Sequence, residues 1–412
     1  MTIIEFYDKA AIENIAGALL CDPDRVILVG HNKKRMQKSI RAYERVLAGK
    51  GRTVEFIPRS VTQNDLQAIV ALLAELVETY GDCAFDLTGG EDLYLVAVGI
   101  IMNRYGDSAQ CHRFNFRNDK VYDCDADHKV CSVDSFDITA EDQISIYGGE
   151  LVTDPSRELY TYPWQFSRDF ICDIGSMWEI CRKDPRRWNA HIGTLGNICE
   201  TFSSEEDMTV AFERDTAKAE MKKKGDPYAF MPGIMYSLQK HGLIRDLVLQ
   251  ETVSFSFKNE QVKRCLTVAG QILELAIAQR LRSITDKDGS PLYNDVRVGV
   301  VIDWDGMDEN EAYRTVNEID ILAMKGSIPV FISCKNGGFD ANELYKLNAV
   351  AERFGNEYAK TVLVTTELSK IDERANYLRA RAKDMDIRFL EDPDGMTEAE
   401  LEKELRSLWS NS

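Results

Sequence analysis

The chain has 412 residues, 44% hydrophobic and 29% charged, and 68 Asp and Glu against 50 Lys and Arg leave a formal net charge of −18. That balance excludes a disordered or collagenous chain, and the sign of the charge excludes an even basic coat for wrapping duplex DNA. At roughly 100–200 residues per domain the length predicts two or three domains.

Residues 25–30 form an apolar run ending in Gly30 and read as a buried parallel strand. Helical spacing follows over 33–48, a strand over 53–58, a helix over 61–80, a strand over 83–87, a helix over 91–105 and a strand over 110–116. Strand–helix alternation of this kind predicts a doubly wound, Rossmann-like α/β sheet in residues 1–150. Short strands around 120–133 enclose the turn cluster 125–128, and Thr139 is placed to cap a short helix that stops at Gly148-Gly149. Residues 151–258 read as a mainly helical, winged-helix-like region, broken at Asp184-Pro185 and Asp226-Pro227, with an alternating β-hairpin strand or wing over 247–258. Residues 259–412 follow another order: a helix over 262–284, strands over 296–302, 316–323 and 328–335, a helix over 340–354, a strand over 361–366, a helix over 370–385 and a strand over 387–390.

The ten cysteines are scattered without a Cys-x-x-Cys pair, and several lie in apolar stretches (Cys83, Cys172, Cys265), so they read as reduced core thiols. No apolar run approaches the ~18 residues of a membrane span, and residues 1–6 lack the regions of a signal peptide. The expectation is a soluble, cytoplasmic protein without a membrane partner.

Two constellations carry chemistry. Along a strand side chains alternate faces, so Glu318 and Asp320 are expected on one face of the hairpin 317–335, with Ile319, Ile321, Val330 and Ile332 on the other. A two-residue type II′ turn at Gly326-Ser327 pairs Asp320 with Ser333 and Glu318 with Lys335. Two acids and a lysine at the end of a buried hairpin suit phosphodiester hydrolysis, because carboxylates hold Mg²⁺ or Mn²⁺ and the lysine steadies developing charge. Cross-strand Glu–Lys pairing on a surface hairpin is the other reading. Glu274, the one acid in the apolar stretch 270–277, faces solvent, pairs with a cation such as Arg280, or binds metal.

The αβββαβ order, with Glu274 on a helix, Asp320 on one strand and Lys335 on the next, resembles the PD-(D/E)xK nucleases with their restriction-endonuclease-like fold. More narrowly, residues 266–274, Asn317 to Asp320 and Phe331 to Gly337 look like the type III CRISPR-associated nucleases that carry an N-terminal CARF domain. The resemblance implies that Glu274, Glu318, Asp320 and Lys335 are catalytic and that Glu274, Asp320 and the Cys334 carbonyl hold the metal. Ser333 departs from the pattern, which usually has an acid two residues before the lysine, so Glu318 or Glu274 must compensate. Tyr345 and Lys346 are weaker candidates for phosphate contacts.

The second constellation is N-terminal: Gly30, His31, Asn32, Lys33 and Arg35 after one strand, and Thr88, Gly89, Gly90 and Glu91 after another. Loops at the carboxyl ends of parallel strands bind ligands in open α/β sheets, and amides at a helix start suit phosphate. A plain tight turn and a solvated helix face are the alternatives. The resemblance makes these loops a CARF site for a cyclic oligoadenylate, cyclic tetra-adenylate, held across a homodimer axis, and implies an activated endonuclease that cleaves single-stranded DNA and RNA, with nicking of duplex DNA also open, in antiviral defence. The alternative is a ligand-controlled DNA-binding regulator with a catalytically inert nuclease fold.

Overall fold

The computed structural model describes residues 1–106, 109–116, 120–123, 130–132, 138–204, 206–304, 306, 316–355, 357–368 and 373–409. The first region comprises β1 (Thr2–Phe6), α1 (Ala16–Cys21), β2 (Arg25–Gly30), α2 (Lys33–Gly49), β3 (Glu55–Ser60), α3 (Leu66–Tyr80), β4 (Cys83–Asp86), α4 (Asp92–Tyr105), β5 (Ala109–Asn115), β6 (Lys120–Asp123) and β7 (Val130–Ser132). Its seven strands lie in the order β3-β2-β1-β4-β5-β6-β7, parallel from β3 to β5 and antiparallel beyond. The doubly wound sheet expected from sequence is present, but β1, an inner strand between β2 and β4, is one the periodicity does not reveal. Glu5 interrupts its apolar run and is nonetheless buried, 1% exposed. α3 starts later than the apolar spacing suggests because Asp65 caps it, accepting from Ala68 N–H at 3.0 Å. The turn cluster at 125–128 lies outside the described residues.

α5 (Ala140–Ile146) carries a capping box in which Thr139 and Asp142 satisfy each other's backbone amides. It leads into β8 (Glu150–Leu151). The middle region then gives α6 (Arg168–Cys181), α7 (Pro185–Phe202), β9 (Thr209–Glu213), α8 (Arg214–Lys224), α9 (Pro232–Lys240), β10 (Ile244–Leu249) and β11 (Thr252–Phe257). Asp184 caps α7 with Pro185 in its first turn, so the predicted break is a helix start. The strands form a small antiparallel sheet, β10-β11-β9, and the predicted wing is the β10–β11 hairpin.

The last region comprises α10 (Glu260–Cys265), α11 (Gln271–Ser283), β12 (Asp295–Asp303), β13 (Val316–Lys325), β14 (Ile328–Lys335), α12 (Ala341–Phe354), β15 (Lys360–Thr365), α13 (Glu373–Asp384), β16 (Ile387–Glu391) and α14 (Glu398–Arg406). The helix expected over 262–284 is two, because Gly270 takes a φ of +91° that ends one turn and starts the next. Its sheet runs β16-β15-β14-β13-β12-β8, so an edge strand comes from before the middle region. α14 is a helix that the sequence pattern does not announce.

One apolar cluster, under α3 and α4, lies wholly within the first region, and two others cross the regions. α6 and α7 share an apolar cluster with α11 and the Ile321–Ile332 face of the C-terminal sheet. α2 and α5 of the first region join α12 and the Leu322–Phe331 face in another. α5 is also fastened by polar bonds: Gln143 Nε2 donates to Phe354 O at 2.6 Å, and Ala140 N–H to Asp295 Oδ2 at 3.0 Å. No helix among the described residues is long and apolar enough to cross a membrane. Cys21, Cys83, Cys111, Cys172, Cys181, Cys199, Cys265 and Cys334 are free thiols, and most of them are buried. Cys172, expected in the core, is exposed on α6.

Candidate active site

The β13–β14 hairpin turns at Gly326, whose φ of +59° with an ordinary Ser327 fits the expected type II′ turn. Its register is the expected one from Lys325↔Ile328 to Ile321↔Ile332. Beyond that last pair Asp320 takes over the role of the ladder. Its Oδ2 accepts from Cys334 N–H at 2.5 Å and from Ser333 Oγ at 3.1 Å, and lies 3.5 Å from Lys335 Nζ.

On the other side the β12–β13 ladder is interrupted at Gly299 and Asp320. Gly299 has a φ of +60°. Strict alternation fails here, which corrects the expected face assignment. Ile321 and Val298 belong to the cluster under α11, whereas Ile319 and Val300 belong to the cluster under α12. The local reversal is what an irregular Gly-containing strand produces. It places Glu318 beside Gly299, where an added Cβ would lie 3.6 Å from Glu318 Oε1.

Lys335 therefore does not pair with Glu318 as the extended register predicts. Its Nζ lies 2.9 Å from Glu343 Oε2 on α12, and Glu343 also holds Lys346 at 2.8 Å. Burial by itself would lower the Lys335 ammonium, but Asp320 and Glu343 hold it above its ordinary value. The lysine is a fixed cation. Tyr345 is exposed and its hydroxyl is taken by Arg381.

Glu274 sits in the first turn of α11 and accepts from Gln271 Nε2 at 2.7 Å. Its carboxyl is pushed well above the usual range by burial, then by Asp320 and Glu318. Glu318 is raised by burial and by Asp320, and Arg264 and Lys335 oppose the rise. The Cys334 thiol is raised by burial and by Asp320 and Glu274. Glu274, Glu318, Asp320 and Lys335 thus share one electrostatic neighbourhood, assembled from one helix and two strands.

Among the described residues no group of three or more His, Cys, Asp or Glu side chains is gathered closely enough to hold a metal ion. The donor chemistry nonetheless suits a hard divalent cation, since carboxylates that raise one another's proton affinity are relieved by one.

The N-terminal loops are also brought together, with His31 Nδ1 and Glu91 Oε1 3.8 Å apart. Asn32 caps α2 through Arg35 N–H at 3.1 Å, while Lys33 and Arg35 stand exposed. Gly30 packs so tightly that an added Cβ would lie 2.9 Å from Tyr7. Thr88 is buried, and both its N–H and its hydroxyl bond Asp86. Gly90 has a φ of +105° and its N–H donates to Asp8 Oδ2 at 3.2 Å. Two of the amides expected to cradle phosphate are therefore engaged by carboxylates. Thr88, Gly89 and Gly90 border a cleft of about 690 Å³ with Asp8, Glu13, Arg113 and Glu357, so the two loops present opposite charge.

Residues 259–408, which contain every side chain of the C-terminal constellation, match the profile of the family described as Card1-like, endonuclease domain. The C-terminal region has a Card1-like endonuclease fold. Over 99% of its length the chain also superposes on 97% of protein VC1899 from Vibrio cholerae, with a TM-score of 0.73 at 16% identity. It superposes on 99% of Can2 from Sulfobacillus thermosulfidooxidans, a structure in complex with cyclic tetra-adenylate, with a TM-score of 0.67 at 14% identity and 99% of this chain covered. These likenesses show a shared fold across both halves. No curated protein matches the chain.

Sequence reasoning missed the residues that position the site. Asn336, next to Lys335, is 8% exposed. Its Nδ2 donates to Asn189 Oδ1 of α7 at 2.9 Å, its Oδ1 accepts from Thr366 Oγ1 at 3.0 Å, and its carbonyl accepts from Asn189 Nδ2. Glu343, three residues into α12, was also missed. No spacing rule reaches partners so distant in the chain, although Lys335-Asn336-Gly337 at a strand end marks a place where polar side chains must find buried partners.

Proposed function

We propose that this protein is a metal-dependent endonuclease for single-stranded DNA and RNA, switched on by cyclic tetra-adenylate bound between the N-terminal domains of a homodimer. The observation that carries the reading is the convergence of Glu274, Asp320 and Lys335 within the region that matches an endonuclease family. In this reading Glu274, Asp320 and the Cys334 carbonyl hold Mg²⁺ or Mn²⁺, and Glu318 assists. A bound divalent cation lowers the pKa of a water and neutralises phosphoryl charge. Lys335, kept protonated by Asp320 and Glu343, orients the attacking water and stabilises the charge that grows in the transition state. Ser333 takes the place of the usual acid by donating to Asp320, which fixes that carboxylate, while Glu318 supplies the missing negative charge.

The ligand assignment is supported by the exposed Lys33 and Arg35 beside His31 and Glu91, and by the shared fold with Can2, whose structure holds cyclic tetra-adenylate. The part in type III CRISPR defence is what the sequence resemblance to the CARF-domain nucleases implies. Cleavage of labelled single-stranded DNA, RNA and plasmid, with and without each cyclic oligoadenylate and Mn²⁺, tests the proposal. Cyclic tetra-adenylate is expected to activate, and Asp320→Ala or Lys335→Ala to lower the rate by about 10²–10⁴-fold. Full cleavage by both variants overturns the site. Ser333 favours a second reading, a ligand-controlled DNA-binding regulator with an inert nuclease fold, for which the same assay shows metal-free binding and no cleavage.

A further inference from the structure

Residues 152–167 leave β8 as an extended strap along β12. Val152 N–H donates to Val301 O at 2.9 Å, Val301 N–H to Thr161 Oγ1 at 2.9 Å, and Thr161 N–H to Val152 O at 2.7 Å. Val301 is the register partner of Glu318, so the strap is pinned one strand away from the candidate site.

Tyr160 and Tyr162 flank Thr161, partly exposed, with ring centroids 6.4 Å apart. The Arg264 guanidinium lies over both, 5.7 and 4.6 Å from the two centroids. Its Nε–H is buried without a hydrogen-bond acceptor among the described residues. Further along, Tyr162 and Trp164 meet edge to face at 4.7 Å, and the strap borders a groove of about 370 Å³ lined by Tyr162, Trp164, Phe166, Arg282 and Arg297. Arg282 lies 4.7 Å over Phe166, and Arg297 is bonded to Asp295 at 3.0 Å.

Hydrogen bonds from Tyr162 Oη to Glu260 and from Gln165 N–H to Gln261 already fasten the strap to α10. Trp164 stacks on Phe170 with one face, at 5.6 Å, and Arg282 donates to Val296 O at 3.2 Å, while the partly exposed Tyr160 and Tyr162 rings and the Arg264 Nε–H go beyond what that fastening needs. Three arginines gathered along an aromatic strap, in a chain of net charge −18, complement a polyanion that exposes flat apolar faces. A single-stranded nucleic acid does so, and a duplex hides its bases in the stack.

We propose that the strap is the track on which a single strand lies as it enters the active site, its bases stacking on Tyr160, Tyr162 and Trp164 and its phosphates meeting Arg264, Arg282 and Arg297. The proposal rests on the nuclease reading for what becomes of the strand, but binding on the track is separable from cleavage.

The test is fluorescence anisotropy of labelled dT15 and rU15 on the full-length protein in EDTA, with and without cyclic tetra-adenylate. Tyr160→Ala with Tyr162→Ala is expected to weaken binding by about tenfold or more, with Tyr162→Phe near wild type. Arg282→Glu with Arg297→Glu is expected to weaken binding and to reduce the slope of log K against log salt by about 0.7 for each phosphate no longer neutralised. Failure of the wild type to bind either oligonucleotide overturns the track. So does wild-type affinity and salt slope in the arginine variant, whose melting temperature reports folding. Track binding without any cleavage leaves this inference standing and sinks the nuclease reading alone.

Discussion

Asp320 does the work of a backbone carbonyl and of a charged ligand at once. Its Oδ2 takes the Cys334 amide that the interrupted ladder leaves over and still faces Lys335. The residue types of this site were legible in the sequence, since Glu274, Asp320 and Lys335 come together as expected. Their pairing was not, because Gly299 reverses the alternation and sends Lys335 to Glu343 rather than to Glu318. In the N-terminal cleft Glu13 shows the same physics with the opposite consequence. Burial, then Asp8 and Glu357, raise its carboxyl to about 8, against the relief from Arg113. The ordinary carboxyl value is about 4.3, so between roughly pH 4 and 8 the folded chain binds more protons than the unfolded one and stability falls as pH rises. Glu13→Gln is expected to remove that fall and to be the more stable at pH 8.5 by on the order of 1 kcal/mol, discounted for its partial exposure. Urea unfolding of both proteins at pH 5 and pH 8.5 checks it, and parallel losses in the two would refute it.

Elements were legible where one face decides. β2 is fully apolar from Val26 to its closing glycine, and β14 spans the residues its period predicts. β1 was hidden by Glu5, whose carboxyl is raised far above its usual range by burial and then by Asp86, its register partner on β4. The 262–284 helix was over-extended because apolar spacing continues through Gly270. The hold of α7 on the end of β14 has a measurable size. Asn189→Leu leaves the Asn336 carbonyl and amide without their α7 partners in a buried place, so a loss of about 1–3 kcal/mol is expected in chemical denaturation. Cleavage is expected to slow with it, since Asn336 adjoins Lys335. An Asn189→Leu protein as stable as wild type would show that the network is idle.

Across the whole molecule, the apolar cluster under α3 and α4 belongs to the first region alone, whereas the other two are shared between regions. The first region and the C-terminal sheet share an apolar cluster through α2, α5 and α12, and Gln143 reaches from α5 to the last turn of α12. That helix also carries Glu343, the partner of Lys335. If ligand on the N-terminal loops controls the distant site, α5 is the physical connection, and two sites count as coupled only when one changes the other. Gln143→Ala is expected to bind cyclic tetra-adenylate as wild type while the ratio of activated to basal cleavage drops about fivefold or more. Titration calorimetry and cleavage rates with and without ligand measure the two quantities, and an unchanged ratio removes α5 from the route.

The edge strand β8 has a consequence for how such a chain can be inherited. A gene segment beginning at residue 259 encodes the whole family match yet omits the strand that covers β12 and the strap pinned to Val301. Its product would present an open sheet margin, a template for self-association. Recombination that trades the C-terminal region between related proteins therefore has to cut upstream of β8 to keep that margin covered.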